Sequence, residues 1–148
     1  MIKKEHFIQF LKYGIVGVLN TFVTLFAILI CKSVLGLNPY LSNAIGYCLG
    51  LLNSFLWNRS WVFKAHSGRW HSQAIRFAIG FGLCYGIQLL VVWAVYRAFP
   101  KDYEMTLSRF VVSGYGIATI VGNVVYTLAN FIYNKFVTFH TKHNEKMQ

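Results

Sequence analysis

Four basic residues hold matched places in this chain: Lys12, Arg59, Arg76 and Lys135 each stand just outside a long apolar run. A guanidinium offers phosphate oxygens a planar fork and an ammonium offers a point charge. Such residues can bind the phosphate of a lipid, or they can orient the chain and snorkel to phospholipid headgroups. Stripes of uncharged polar residues run beside them. Asn123, Thr127, Asn130 and Asn134 follow 4-3-4 spacing, which places them on one helical face. Gly50, Asn53, Ser54 and Asn58 make a similar stripe. Amides carry donors and acceptors together, which suits the hydroxyls of a sugar. They also suit hydrogen bonds between helices inside a membrane. As a site, Arg59, Lys135, Lys12 and Arg76 would hold phosphate. Asn53, Asn58, Asn123, Asn130 and Asn134 would line the path of a polar headgroup.

Other chemistries lack their residues. There is no Gly-x-x-x-x-Gly-Lys-Ser/Thr loop to cradle a nucleotide. His66 with His71, and His140 with His143, have no Cys or acid that completes a metal set. No Ser/His/Asp or paired-carboxylate constellation is visible, so the expectation is a protein that is not an enzyme and needs no cofactor or metal. Cys31, Cys48 and Cys84 lie in or beside apolar runs and read as small hydrophobes.

The elements that must position these residues follow from composition. The 148 residues are 56% hydrophobic and 12% charged, about half the charged share of a soluble domain. A soluble domain this small could not hide so much apolar surface, whereas lipid solvates it. The net charge is +10, with Glu5, Asp102, Glu104 and Glu145 as the four acids. The charges sit in short segments between apolar runs, which favours anionic lipid over nucleic acid as partner.

Four spans are expected: about Tyr13 to Cys31, Pro39 to Trp57, Phe77 to Tyr96 and Phe110 to Tyr133. At about 19–24 residues each they measure roughly 28–36 Å, enough to cross a ~30 Å hydrocarbon core. A backbone in lipid must satisfy its own hydrogen bonds, so the fold class is all-α, a polytopic membrane protein with four transmembrane helices. The first run is too long for a signal-peptide core and reads as a retained span. No span contains Lys, Arg, Asp or Glu. A drug exporter coupled to protons would need an intramembrane carboxylate, which argues against that class.

Orientation follows from the basic residues. Lys3, Lys4, Lys12, Arg59, Lys64, Arg69, Arg76, Lys135, Lys142 and Lys146 fall on one side, against Lys32, Arg97, Lys101 and Arg109 on the other. The richer side should be cytoplasmic, so both ends lie inside. Trp57, Trp61, Tyr133 and Phe136 fall near span ends, as an interfacial belt would.

The chain also repeats. Asn58-Arg59-Ser60-Trp61-Val62-Phe63 closes the second span, and Asn134-Lys135-Phe136-Val137-Thr138-Phe139 closes the fourth, 76 positions later. Gln9-Phe10-Leu11-Lys12-Tyr13 resembles Gln73-Ala74-Ile75-Arg76-Phe77 at an offset of 64. The single domain, residues 1–148, thus reads as two tandem helical hairpins in one orientation, about 9–63 and 73–139, with a longer outer loop in the second. Small residues recur every four positions: Ser42, Gly46, Gly50 and Ser54; Ala78, Gly82 and Gly86; Gly114, Ala118 and Gly122. Such faces let helices approach closely, within a bundle or across a dimer. Four helices are few to enclose a headgroup, so a homodimer is expected.

Two motifs resemble a known family. Phe10-Leu11-Lys12-Tyr13-Gly14-Ile15-Val16-Gly17 is similar to the opening signature of GtrA-like proteins. Asn53-Ser54-Phe55-Leu56-Trp57-Asn58-Arg59-Ser60-Trp61-Val62-Phe63 resembles the motif that closes their second span. The resemblance covers about residues 10–139. It implies a bacterial inner-membrane protein of cell-surface polysaccharide synthesis, including O-antigen glycosylation. Its activity would be that of a flippase for a polyprenyl-phosphate-linked monosaccharide, such as undecaprenyl-phosphate glucose, which a partner glycosyltransferase then uses. The rival reading is a non-transporting membrane subunit that anchors or stabilises that glycosyltransferase. The second closing motif has Lys135 where the first has Arg59, and it lacks a Trp.

Overall fold

The structure, a computed structural model, describes residues 2–100, 103–107 and 110–140. Lys101, Asp102, Arg109, Lys142, His143, Glu145 and Lys146, used above for charge, orientation or ligation, lie outside the described residues.

Among the described residues four helices carry the fold: α1 (Ile2–Leu29), α2 (Pro39–Trp57), α3 (Trp70–Arg97) and α4 (Gly114–Tyr133). Three five-residue π turns extend them: π1 (Ile30–Val34), π2 (Asn58–Val62) and π3 (Asn134–Thr138). Wide i→i+5 hydrogen bonds mark such turns, as from the Phe63 amide to the Asn58 carbonyl at 2.9 Å. π1 leads into Gly36 with φ 63°, and π2 into Lys64 with φ 49°. α1, α3 and α4 are long and apolar enough to cross a membrane. Only 11%, 11% and 17% of their most apolar windows are buried, so their Leu, Ile and Phe face outward, as lipid requires. α2 is not among these three; Ser42, Asn43, Asn53 and Ser54 interrupt its apolar run. Its start has a local cause. Asn38 caps it, its side chain accepting from the Leu41 amide at 2.8 Å, and Pro39 holds the first position, where no amide hydrogen is needed.

The all-α expectation holds for the helical body, and one short hairpin lies between its last two helices. Glu104–Leu107 (β1) and Phe110–Ser113 (β2) form an antiparallel hairpin, Glu104 opposite Ser113 and Leu107 opposite Phe110. The expected fourth span therefore starts too early at Phe110. The helix begins at Gly114, where Ser113 caps it by accepting from the Gly116 amide at 3.2 Å. In the other direction α3 outruns its expected span, starting at Trp70 rather than Phe77.

The chain divides into two compact units, 1–70 with 139–148 and 71–138. In the first, α1 and α2 run antiparallel: a Cβ on Gly46 would meet Ile28 Cγ1, with the Thr24 carbonyl at 3.0 Å, and one on Gly50 would meet Thr24 Oγ1. In the second, α3 and α4 touch in the same sense. A Cβ on Gly122 would meet Val92 Cγ2, with the Gln88 carbonyl at 3.4 Å, and one on Gly80 would meet the Tyr133 ring. Gly46 and Gly122 differ by 76, Ile28 and Val92 by 64, and Thr24 and Gln88 by 64, the two offsets read in the sequence. Ser42 and Ala118, also 76 apart, are both fully buried. Of the small-residue stripe on α3, Gly82 and Gly86 have nothing among the described residues within 4 Å of an added Cβ. Gly46→Val should cost about 1–3 kcal/mol through overpacking, whereas Gly82→Ala, inside α3 with room for the methyl, should raise stability by about 0.5–1 kcal/mol. Thermal unfolding of the two purified variants in detergent checks the contrast.

An aromatic cluster forms the core of the first unit. Phe139 stacks on Phe63 at 5.1 Å and on Phe55 at 5.9 Å. Trp70 meets Phe55 edge-on at 5.4 Å, and Tyr13 lies 6.4 Å from Phe63.

Candidate functional site

Each unit assembles its own pair of cations at a π turn. In the first, Arg59 lies on π2, and Lys12 comes to the same turn from α1 because the two helices are antiparallel. The Lys12 ammonium sits over the Trp61 ring at 5.3 Å, a favourable cation–π arrangement. Trp57 meets Trp61 edge-on at 6.1 Å. Nη2 of Arg59 donates to the carbonyls of His66 at 3.2 Å and Gly68 at 3.3 Å. The guanidinium thereby fixes the loop after π2 as well as carrying charge.

In the second unit Lys135 lies on π3, and Arg76 reaches the turn from α3. Nη1 of Arg76 donates to the Val137 carbonyl at 3.3 Å. Lys135 Nζ stands 5.7 Å from the Phe131 ring and 5.9 Å from the Phe136 ring. Lys12 and Arg76 are 64 apart, and their contacts, Trp61 and Val137, are 76 apart.

The five amides take three different places. Asn58 is 1% exposed; its backbone amide closes α2 on the Phe55 and Ser54 carbonyls, and its Nδ2 donates to the Ser54 carbonyl at 2.8 Å and to Ser54 Oγ at 3.2 Å. Asn134 is fully buried, and its Nδ2 donates to Asn130 Oδ1 at 3.2 Å. Asn130 Nδ2 in turn donates to Tyr126 Oη at 3.3 Å. These three amides lie within the helix packing. Asn53 is half-buried on α2 with its Nδ2 buried, and Asn20 Oδ1 is buried on α1 near Gly50; neither atom has a hydrogen-bond partner among the described residues. Asn123 is exposed, and its Oδ1 accepts from Gln88 Nε2 at 2.6 Å, joining α4 to α3.

A double-mutant cycle over Gln88→Ala and Asn123→Ala should return a coupling of about 0.6 kcal/mol and no more than about 1.7, the range for hydrogen bonds between membrane helices. Thermal unfolding of the four proteins gives the value, and a coupling of zero would mean the bond adds nothing.

The site reading of the sequence left out Gln88, Trp61, Tyr126 and Thr138. Gln88 has a signal, as the sole amide in its apolar run. Trp61 has none, since aromatic residues are common near span ends; Tyr126, well inside α4, has one, as a hydroxyl four residues before Asn130 on the same helical face. Thr138 stands where the first motif has Val62, a polar-for-apolar exchange that the repeat alone exposes.

The arrangement offers two features to a ligand: cation pairs able to hold an anion at one end of each helix pair, and amides along the helices behind them. The family described as GtrA/DPMS, transmembrane domain, matches residues 12–139. The chain is 24% identical over 136 residues to the cell wall teichoic acid glycosylation protein GtcA of Listeria innocua, covering 89% of this chain and 85% of that one. It is 28% identical over 131 residues to the prophage bactoprenol-linked glucose translocase homolog of Escherichia coli K12, covering 88% of this chain and 93% of that one.

Proposed function

The chain belongs to the GtrA/DPMS transmembrane family, and from that membership we propose that it moves a polyprenyl-phosphate-linked monosaccharide across the bacterial inner membrane. The sugar would serve cell-surface polysaccharides, O-antigen among them. The observation that carries this reading is the cation pair at each π turn, Lys12 with Arg59 and Arg76 with Lys135. A lipid phosphate at either pair meets two positive charges, while the amides Asn53, Asn58, Asn123, Asn130 and Asn134 serve the sugar and the prenyl tail stays in lipid. The name of the Escherichia coli relative, a bactoprenol-linked glucose translocase homolog, supports the substrate class.

All four helices cross the membrane in this reading. α2 runs back along α1 from Gly46 at Ile28 to Gly50 at Thr24, so it traverses what α1 traverses. The common offsets of 64 and 76 in both packing and cation contacts support two tandem hairpins, about 9–63 and 73–139, in one transmembrane domain. The cation-bearing ends face the cytoplasm by the charge asymmetry. The spans contain no carboxylate for proton coupling, and movement runs downhill, drawn by consumption of the sugar on the far side.

The test is a proteoliposome containing only this chain and a labelled bactoprenol-phosphate-linked glucose, with leaflet distribution measured over time. Equilibration faster than in empty liposomes is expected. The second reading, a non-transporting subunit that stabilises a glycosyltransferase, has its own support. The Listeria relative is named for glycosylation, not transport, and the open faces at Gly82 and Gly86 suit a partner helix or a second copy of the chain. No acceleration, together with co-purification of a glycosyltransferase, would favour it.

A further inference from the structure

Thr138 ends π3 with its side chain 1% exposed. Its Oγ1 has no hydrogen-bond partner among the described residues, and neither has Oδ1 of Asn134, four residues earlier on the same turn. Asn134 has committed its Nδ2 to Asn130, and Asn130 its own to Tyr126 Oη. A line of polar side chains thus runs from Tyr126 through Asn130 and Asn134 to Thr138 and stops at two open groups. A buried polar group without a partner has given up its bonds to water for nothing in return.

The first unit has the same open amide oxygen, Asn58 Oδ1, and its turn forms without a hydroxyl beside it. Val62 holds the corresponding place in π2, 76 positions earlier, and is likewise buried. Val and Thr have nearly the same shape, so the hydroxyl at 138 adds a desolvation cost with no structural bond to offset it. The chemistry of the two open atoms is specific. An amide oxygen accepts, a hydroxyl donates or accepts, and neither is charged. The pair suits a neutral hydroxyl and does not suit an anion.

We infer that Asn134 Oδ1 and Thr138 Oγ1 form a subsite for one hydroxyl of the sugar headgroup, built into the second unit and lacking its Thr in the first. The inference rests on the reading of the chain as a carrier of lipid-linked sugar. The pair is closed to solvent in this conformation, so the subsite requires that π3 open for a headgroup to enter. A water molecule offers the same hydroxyl chemistry, and the experiment separates the two.

The full chain in nanodiscs is titrated with bactoprenol-phosphate-linked glucose and, separately, with bactoprenol phosphate alone, with bound lipid counted by native mass spectrometry. Thr138→Val should weaken binding of the glucosylated lipid by about five- to tenfold, leave the sugar-free lipid unchanged and not lower Tm. Thr138→Ser should restore the loss. Equal binding of the glucosylated lipid by wild type and Thr138→Val overturns the subsite. A lowered Tm would then assign the hydroxyl to a structural water, and an unchanged or raised Tm to no partner at all. Equal weakening of both lipids also overturns it, since the effect would not concern the sugar. If the wild-type chain binds neither lipid, the carrier reading itself falls and the subsite with it.

Discussion

Replacing Arg59 and Lys135 together by Ala should slow transbilayer movement of a bactoprenol-phosphate-linked sugar by about ten- to a hundredfold, because each cation pair then loses one of its two charges. A hydrogen bond to a charged group contributes about 1.5–3 kcal/mol. At about 1.4 kcal/mol per decade, that is a factor of roughly 10 to 10² at either pair. The two single variants should differ. Lys135→Arg keeps the charge beside Phe131 and Phe136 and should retain most activity. Arg59→Lys keeps a charge but loses the fork that holds the His66 and Gly68 carbonyls, so it should fall between wild type and Arg59→Ala. Phosphate contact also predicts that added salt weakens lipid binding by the wild type more than by the double variant. A folded double variant that moves lipid at the wild-type rate would remove both residues from the mechanism.

Phe139→Ala should destabilise the first unit by about 3–5 kcal/mol, the usual cost of truncating a fully buried Phe. Its ring is 1% exposed and stacks on both Phe63 and Phe55. Removing it leaves a cavity between two aromatic rings that are themselves buried, which limits collapse. Phe139→Leu keeps most of the volume and should cost less than about 1.5 kcal/mol. Thermal or denaturant unfolding in detergent distinguishes the two. A loss below about 1 kcal/mol for the Ala variant would mean that the cluster re-forms without this ring.

The sequence reading located what depends on composition and missed what depends on backbone path. Pro39 and Trp57 bound α2 in both, because Asn38-Pro39 is a start signal that acts locally and Arg59 follows close behind the apolar run. The β hairpin was not legible. Phe110-Val111-Val112 is as apolar as the start of a helix, and periodicity cannot separate a short apolar strand from a buried helical turn. Ser113 before Gly114 is the signal that ends the ambiguity. The π turns were hidden for another reason: an i→i+5 bond requires no particular residue type.

At the candidate site the same division holds. That Lys12, Arg59, Arg76 and Lys135 lie at span ends follows from hydropathy. That Arg59 also ties down carbonyls seven and nine residues away does not, because it depends on how the loop turns back. The stripe of Asn123, Thr127, Asn130 and Asn134 is one face of a helix in sequence. In the structure its members diverge: Asn123 is exposed and bonded to Gln88, whereas Asn130 and Asn134 are buried and bonded to one another.

The place of Phe139 bears on how the protein is made. Phe63 emerges from the ribosome 76 residues before the ring that stacks on it. At about 5–20 residues per second, the first hairpin waits roughly 4–15 seconds with its aromatic core incomplete. The first half is therefore not a unit that finishes before the second begins. A polypeptide terminated anywhere before residue 139 leaves Phe55 and Phe63 without their stacking partner, a lasting mark by which a membrane protease could recognise an unfinished chain.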